Sequence, residues 1–411
     1  MSLIVIILVF LFVMSFVNVL LRDQQPICNQ LYKISFFITF FLFTIKYYYG
    51  ADIANYVPMY ETIPTPLEIY QNGYDKYGGY FETSYVYLCS IAKYLGVSFW
   101  SFTALISCFY FYALYKLFEN VKTYKIVALF IIVLLDYNLI FAAYRQCMSV
   151  SFFMLAYVAY INKKKFRMFI YLILVALLHK SGFLFSALFI IILLKPLVFT
   201  RNYYFISLLL FVLFLVLPVK AIILSIVSKL PLSANVIESL DHHFSNSVPI
   251  QIVSILYLSI IVVLSLVSTK GEIQKKLNYF IGVFVFMIVV FYENNMVLNR
   301  MRSYFLPLAI IYIFNLLCNI ENEEEVDVVD WFKGLSKKLI PQTLLTIFTL
   351  FAVAQIFSIY TLHTTSESRI YDISTVFQLI NKTEEEIKEE RMNRAKIFWR
   401  KENNKYILNN D

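Results

Sequence analysis

Long apolar runs, each ended by charged or polar residues, recur from the start of the chain to position 361. The first run, residues 2–21, contains no Asp, Glu, Lys or Arg. Of the 411 residues, 60% are apolar and only 15% are charged, whereas soluble domains average about 45–50% and 25%. Because a water-soluble fold cannot hide so much apolar surface, we predict a polytopic helical membrane protein.

The number of apolar residues sets the number of crossings. One crossing uses about 20 apolar residues, so the composition allows roughly a dozen. We predict an all-α fold with about 12 transmembrane helices, at 2–21, 34–49, 99–118, 126–143, 147–161, 168–178, 182–195, 203–228, 250–269, 278–297, 303–320 and 339–361. Residues 1–361 would form the membrane domain, and 362–411 a charged C-terminal tail.

Segment 84–95 is too short and too polar to span, and we predict an interfacial helix there. If it crosses instead, every later loop changes side. With the interfacial assignment, Lys and Arg concentrate in alternate loops, and the positive-inside rule places the N-terminus and segment 50–83 outside. The first run lacks a basic start and a cleavage site, so we interpret it as a retained span rather than a signal peptide.

The net charge of +8 is dispersed over short loops between the apolar runs. This pattern predicts a lipid bilayer with an anionic inner leaflet as the partner, and no nucleic acid. The five cysteines form no CxxC pair, and the four histidines have no metal-ligand spacing. We therefore predict neither a bound metal nor a cofactor.

The outer segment 50–83 is rich in glycine, proline and tyrosine. This composition predicts a functional loop that does not continue a helix. Its tyrosines could stack on sugar rings, but tyrosine also populates the interface of any membrane protein. They are Tyr56, Tyr60, Tyr70, Tyr74, Tyr77 and Tyr80.

Polar groups capable of chemistry lie at four places on the predicted outer side. They are Asp52 with Tyr56, the triplet Tyr144-Arg145-Gln146, the triplet His179-Lys180-Ser181, and the segment from Asn299 to Tyr304 that contains Arg300 and Arg302. A single cation at the outer end of a span is explained by snorkelling or helix capping. Three arginines and a lysine on one side instead favour a shared anionic ligand.

The order of these groups resembles the EpsG family of Wzy-like polysaccharide polymerases. Over most of residues 1–320, the matching elements are Gly50-x-Asp52-x-x-x-Tyr56, Arg145-Gln146, His179-x-Ser181 and the run from Arg300 to Tyr304. The chain departs from the family at Lys46, where an arginine is common, and in the tail beyond 361, for which we find no counterpart.

The resemblance implies a metal-independent glycosyltransferase of the inner, cytoplasmic membrane with a fold like that of the GT-C enzymes. It would join oligosaccharide repeat units carried on a polyprenyl diphosphate, for O-antigen, capsule or exopolysaccharide. A flippase and a chain-length regulator would be its pathway partners.

The chemistry of this reaction assigns roles to the matched residues. Without a metal, guanidinium groups must stabilise the diphosphate leaving group, and a carboxylate or imidazole must take the proton of the attacking hydroxyl. Asp52 and His179 are the candidate bases. The substrate-binding candidates are Arg145, Arg300, Arg302, Lys180, Tyr56, Gln146 and Tyr304.

Structural roles remain open for several of these residues. Asp52 could cap a helix or pair with an arginine, and His179 could be a hydrogen-bonded interfacial histidine. Gln146 and Ser149 are typical of packing between membrane helices. Glu82 is a weaker acid–base candidate.

Other functional classes share part of the pattern. A flippase for lipid-linked oligosaccharides would place cations inside the spans and often shows repeat symmetry. Here the arginines gather at one face and no repeat is visible, which favours the enzyme. An O-antigen ligase differs only in its acceptor, and a histidine-dependent acyltransferase is also compatible with His179.

Overall fold

A computed structural model describes most of the chain. The described residues are 3–47, 52–73, 81–194, 199–216, 252–269, 272–291, 295–321, 326–328, 349–357 and 359, together with 374–375, 382–383, 385–386 and 389. Gly50 and most of the predicted span 339–361 lie outside them.

The described residues are overwhelmingly helical. The helices are α1 (Leu3–Leu20), α2 (Gln25–Thr44), α3 (Ile53–Thr62), α4 (Pro66–Asn72), α5 (Thr83–Tyr94), α6 (Phe99–Phe118), α7 (Lys125–Phe141), α8 (Tyr144–Ile161), α9 (Lys165–Leu178), α10 (Lys180–Leu194), α11 (Arg201–Val216), α12 (Ile252–Leu266), α13 (Glu272–Phe291) and α14 (Asn295–Glu321). The strands are β1 (Lys46–Tyr47), β2 (Val267–Thr269), β3 (Val326–Val328) and β4 (Ser374–Thr375). They form two antiparallel pairs, β1 with β4 and β2 with β3.

The chain divides into two compact units. The first contains Met1–Phe118, Tyr124–Ser186 and Ile356–Asp411. Within it, α8 packs on α6 and α9, α1 packs on α7, and α2 packs on α6 and α7. The second contains Glu119–Thr123 and Ala187–Gln355. Within it, α13 packs on α14, and α11 packs on α12 and α13.

Five helices are long and apolar enough to cross a membrane, counted over the residues that the structure describes. They are Leu3–Leu20, Gln25–Thr44, Phe99–Phe118, Gln274–Phe291 and Leu298–Asn319, and Lys180–Leu194 and Arg201–Phe214 are shorter apolar helices. The protein is therefore a helical, multi-pass membrane protein. The total of about 12 crossings stays a prediction.

Most predicted spans correspond to a helix, and the largest difference is in α2. The predicted span 34–49 is helical only to Thr44, and the helix begins at Gln25 instead. Pro26 lies in the first turn, where its fixed φ favours helix initiation and its missing N–H costs nothing. Lys46 consequently lies outside the helix, in β1.

The prediction that segment 50–83 does not continue a helix is wrong for two stretches, α3 and α4. Thr65 and Glu68 form a capping box at the start of α4, with Pro66 in its first turn. These residue types start helices rather than break them. Helix α3 tolerates Pro58 because Tyr56, Val57 and Tyr60 on either side of it are buried.

Segment 84–95 is helical, as predicted. Helix α5 is only 12 residues long and buries Tyr85, Val86, Cys89 and Ser90. Its interfacial position stays a prediction, as does the boundary of the tail at 361. Within the tail, β4 pairs with β1, so Thr375 lies beside Lys46.

Candidate functional site

Arg145 is held by a carboxylate and a phenol. It is the second residue of α8, and its Nη1 donates to Glu82 Oε2 at 2.5 Å. Its Nε donates to the hydroxyl of Tyr56 at 3.0 Å. The guanidinium also lies over the Phe81 ring, with Cζ 4.8 Å from the ring centroid. The Arg145 side chain is only 15% exposed and that of Glu82 10%, so the guanidinium has a fixed geometry.

Glu82 joins this arginine to the start of another helix. Its second oxygen, Oε1, accepts the backbone N–H of Lys180 at 3.0 Å, and Lys180 is the first residue of α10. Burial raises the pKa of the Glu82 carboxyl, but the Arg145 guanidinium and the Lys180 N–H together lower it below its ordinary value. Glu82 is therefore a carboxylate at neutral pH and a poor proton acceptor.

A second contact fixes the same junction. Ser84 Oγ, two residues beyond Glu82, donates to the carbonyl oxygen of Leu177 near the end of α9. The start of α5 is thus bonded to both sides of the break between α9 and α10. Glu82 was only a weak acid–base candidate in the sequence, and no sequence pattern connects it to Arg145.

Tyr56 lies inside the protein rather than on a surface. Its side chain is 2% exposed and packs against the rings of Phe81, Tyr85 and Tyr144. Burial raises the pKa of its hydroxyl well above the ordinary value, the Arg145 charge opposes this shift and the Asp52 charge adds to it. In this conformation Tyr56 holds Arg145 and offers no ring face to a sugar, so its direct role in substrate binding stays a prediction.

Asp52 is exposed and immediately precedes α3. Its backbone carbonyl accepts the N–H of Tyr56 at 3.1 Å, but its side chain makes no capping hydrogen bond. The capping alternative is therefore not supported. Because its charge acts on Tyr56, the carboxylate lies close to the group that holds Arg145.

His179 occupies the break between α9 and α10 in an extended conformation. Its Nδ1 lies 2.7 Å from the Ser181 hydroxyl and accepts the Ser181 backbone N–H at 3.2 Å. A backbone N–H can only donate, so the proton of the neutral imidazole is assigned to Nε2. His179 therefore presents a hydrogen-bond donor at Nε2, and a base role there would need the other tautomer.

Ser149 and Gln146 are buried in α8. Ser149 Oγ donates to the carbonyl of Val175 in α9 at 2.9 Å, which confirms the helix-packing interpretation for this serine. Gly182 fits against the same pair, because a Cβ there would lie 2.1 Å from Val175 O and 2.6 Å from Ser149 Oγ. The substrate-binding role of Gln146 stays a prediction.

The late arginines belong to the second unit. Arg300 is exposed near the start of α14, and Arg302 is partly exposed. Ser303 Oγ donates to the carbonyl of Asn299 at 3.2 Å. Tyr304 has 0% exposure, so a contact between its ring and a sugar would need a rearrangement. Binding of a diphosphate by Arg300 and Arg302 stays a prediction.

Four helices of the first unit begin around the Arg145–Glu82 pair. Tyr56 lies in the first turn of α3, Glu82 directly precedes α5, Arg145 is in the first turn of α8, and Lys180 opens α10. Each helix N-terminus carries about half a positive charge and unpaired N–H groups, an environment that favours anions. Glu82 is one such anion. In the described part of the chain, no three His, Cys, Asp or Glu side chains form a group that could hold a metal ion.

The helices and this site define a multi-pass helical membrane protein in which a buried ion pair lies where several helices begin. The model of the EpsG family matches residues 29–332. This is well over half of the chain, which therefore belongs to the EpsG family. The family is linked to exopolysaccharide biosynthesis. Comparison with curated proteins gives no match, and comparison with solved structures gives none either.

Proposed function

We propose that the protein is a polysaccharide polymerase of the cytoplasmic membrane. It joins oligosaccharide repeat units carried on a polyprenyl diphosphate, at the outer face. This proposal rests on the Arg145 cluster, which consists of Arg145, Glu82, Tyr56 and Phe81. In a chain of the EpsG family, this cluster combines a rigid guanidinium with four helix N-termini. The Glu82 carboxylate balances the charge of Arg145, and the helix N-termini and the exposed Lys180 supply further positive charge that suits a diphosphate.

The reaction is a displacement at the anomeric carbon of the donor sugar. The acceptor hydroxyl oxygen forms a bond to that carbon, and the bond between the carbon and the diphosphate oxygen breaks. The bonding electrons leave with the polyprenyl diphosphate, and the hydroxyl proton passes to the base. Arg145 stabilises the charge that grows on the leaving group, and the Lys180 ammonium at the exposed start of α10 adds to that field.

Asp52 is the base in this proposal. It is exposed beside the Arg145 cluster, whereas the Glu82 carboxyl has a lowered pKa beside Arg145 and is a poor proton acceptor. His179 takes the complementary role, because its Nε2–H suits a hydrogen bond to an anionic oxygen.

The decisive experiment uses purified protein and its polyprenyl-diphosphate-linked oligosaccharide. We expect a ladder of longer chains and stoichiometric release of polyprenyl diphosphate. Asp52→Asn removes the base, so the rate should fall about a hundredfold or more. The control is Asp23→Asn, at a side chain that is 93% exposed beside Arg22, and it should react at the wild-type rate.

The outcomes separate the alternatives. Movement of the lipid-linked sugar across vesicles without chain growth would identify a flippase, and a single transfer to another acceptor would identify a ligase. A ladder formed at the wild-type rate by Asp52→Asn would leave the polymerase intact and reject Asp52 as the base.

A further inference from the structure

A buried lysine lies at the helix break that precedes Arg145. Lys46 is in β1, directly after α2, and its side chain has 2% exposure. Its Nζ donates to the carbonyl of Ile140. The same Nζ lies 4.7 Å from the centroid of the Tyr144 ring and 5.6 Å from that of Phe141. The ammonium thus contacts residues on both sides of the α7–α8 break.

These contacts stabilise the two helix ends at the break. Ile140 is in the last turn of α7, where carbonyl groups lack partners within the helix and favour a cation. Tyr144 is the first residue of α8, and its ring attracts the ammonium by a cation–π interaction. Arg145 follows Tyr144 directly, so the position of Tyr144 sets where the guanidinium emerges.

The surroundings of Lys46 are poor in charge. On the first turn of α8 the ionisable groups are the Tyr144 phenol, the Arg145 guanidinium and the Cys147 thiol, and the thiol acts electrostatically on Lys46. On α7, the buried Asp136 acts on that thiol. Strand β4 and the last turn of α2 contribute no ionisable residue. Burial lowers the pKa of Lys46 from 10.5 to about 7, and Cys147 opposes this shift.

We infer that Lys46 is a positioning residue for Arg145. The protonated amine holds the α7–α8 break in the geometry that directs Arg145 onto Glu82 and Tyr56. Loss of the proton weakens the bond to Ile140 and the attraction to the Tyr144 ring, and the start of α8 loosens. Arg145 is then less well ordered for an anionic ligand.

The Lys46 ammonium costs free energy where it lies. A charge buried among apolar groups is destabilising unless it is fully paired, and an apolar side chain of similar length would fill the space without that cost. Placing the charge at the α7–α8 break, against Tyr144, therefore lowers stability but orders the arginine that follows. Removal of the Lys46 charge should therefore loosen the start of α8 without lowering the melting temperature, whereas loss of a purely structural contact should lower it.

Two variants test the inference in the purified full-length protein. Lys46→Arg keeps the charge at every accessible pH, and Lys46→Met removes it while keeping the length of the side chain. The matched control is Lys93→Met. Lys93 also donates to backbone carbonyls, those of Glu61 and Ile63, but it is exposed.

The first measurement is hydrogen exchange of peptides covering residues 140–148, corrected for the intrinsic pH dependence. At pH 6, Lys46→Met should exchange about tenfold faster than wild type, as expected for local opening. Raising the pH to 8.5 should move wild type towards Lys46→Met and leave Lys46→Arg unchanged. The melting temperature of Lys46→Met at pH 6 should equal or exceed that of wild type. The control Lys93→Met should instead have a lower melting temperature and wild-type exchange at residues 140–148.

The second measurement is the binding of inorganic pyrophosphate by calorimetry, and it rests on the proposed diphosphate site. At pH 6, Lys46→Met should bind about tenfold more weakly than Lys46→Arg, a typical coupling between separate sites. At pH 8.5, wild type should weaken relative to Lys46→Arg, a comparison that removes the ionisation of pyrophosphate itself.

The outcomes distinguish the two proposals. Unchanged exchange in Lys46→Met, or a pH response of Lys46→Arg equal to that of wild type, would overturn the role of Lys46. If the exchange results hold but none of the proteins binds pyrophosphate, Lys46 positions Arg145 and the diphosphate site is wrong. Should Lys46→Met fail to fold, the comparison of wild type with Lys46→Arg over pH decides the question.

Discussion

Two arginines assigned to the same ligand by the sequence have opposite surroundings. Arg145 is enclosed, with its guanidinium bonded to Glu82 and Tyr56 and packed on Phe81. Arg300 is exposed on the first turns of α14. An enclosed guanidinium is ordered before a ligand arrives, whereas an exposed one pays side-chain entropy on binding. Two arginines of equal charge therefore differ in how well their side chains are ordered before a ligand binds.

Replacement of Arg145 should have the largest effect. Arg145→Ala leaves the Glu82 carboxylate without its cation, and breaking a pair of this burial costs about 3–5 kcal/mol of folding free energy. Polymer formation should cease as well. Arg145→Lys keeps the charge but cannot bond to Tyr56 and Glu82 in the same fork geometry, so activity should fall while the protein folds.

Thermal unfolding in detergent and gel analysis of the polymer measure both effects. Arg145→Ala with wild-type stability would contradict the enclosed pair. Arg145→Lys with full activity would reduce Arg145 to a simple interfacial cation.

Glu82→Gln should have an intermediate effect that depends on pH. Its amide oxygen can still accept the Lys180 N–H, but the charge facing Arg145 is lost, at a cost of about 1–3 kcal/mol at pH 7. In wild type the pKa of Glu82 is lower in the folded state than its ordinary value of 4.5. The associated stability is therefore present above pH 4.5 and is lost as the pH falls through the folded value.

Stability measured from pH 7 down to pH 3 tests this sign. The loss of stability on acidification should be smaller in Glu82→Gln than in wild type. Glu61→Gln, at an exposed side chain, is the control for the removal of a carboxylate outside the Arg145–Glu82 pair. Parallel acid curves for wild type and Glu82→Gln would contradict the ion pair.

Arg300→Ala should have the smallest effect on stability, within about 0.5 kcal/mol, because the side chain is exposed. If Arg300 binds the diphosphate, this variant should nevertheless lose polymer length on a gel. Such a loss of activity without a loss of stability differs from the result expected for Arg145→Ala, which should lose both. Normal polymer from Arg300→Ala would remove Arg300 from the list of diphosphate ligands.

The sequence predicted the long elements better than the site. Helices α1 and α6 end where the apolar runs end, because those runs are bounded by polar or turn-forming residues. Helices α3 and α4 were missed because Pro58 and Pro66 were interpreted as breakers, although one is tolerated by buried neighbours and the other starts its helix.

The partners of Arg145 could not be predicted from the sequence. Tyr56 and Glu82 are 89 and 63 residues away along the chain, and only the packing of separate helices brings them together. The sequence motifs identified Asp52, Arg145 and His179 as candidate site residues from their residue types alone. Lys46 was included in a predicted span, because the hydrophobic pattern of the sequence does not show whether a single lysine is buried.

The first compact unit is discontinuous, because it contains Ile356–Asp411 as well as residues before Ser186. Ribosomes add residues in order, so the whole of Ala187–Gln355 must emerge before β4 can reach β1. Synthesis of the unit that carries Arg145 therefore starts before that of the second unit and continues after it. During synthesis the early helices of this unit therefore exist for an interval in which β1 has not yet paired with β4.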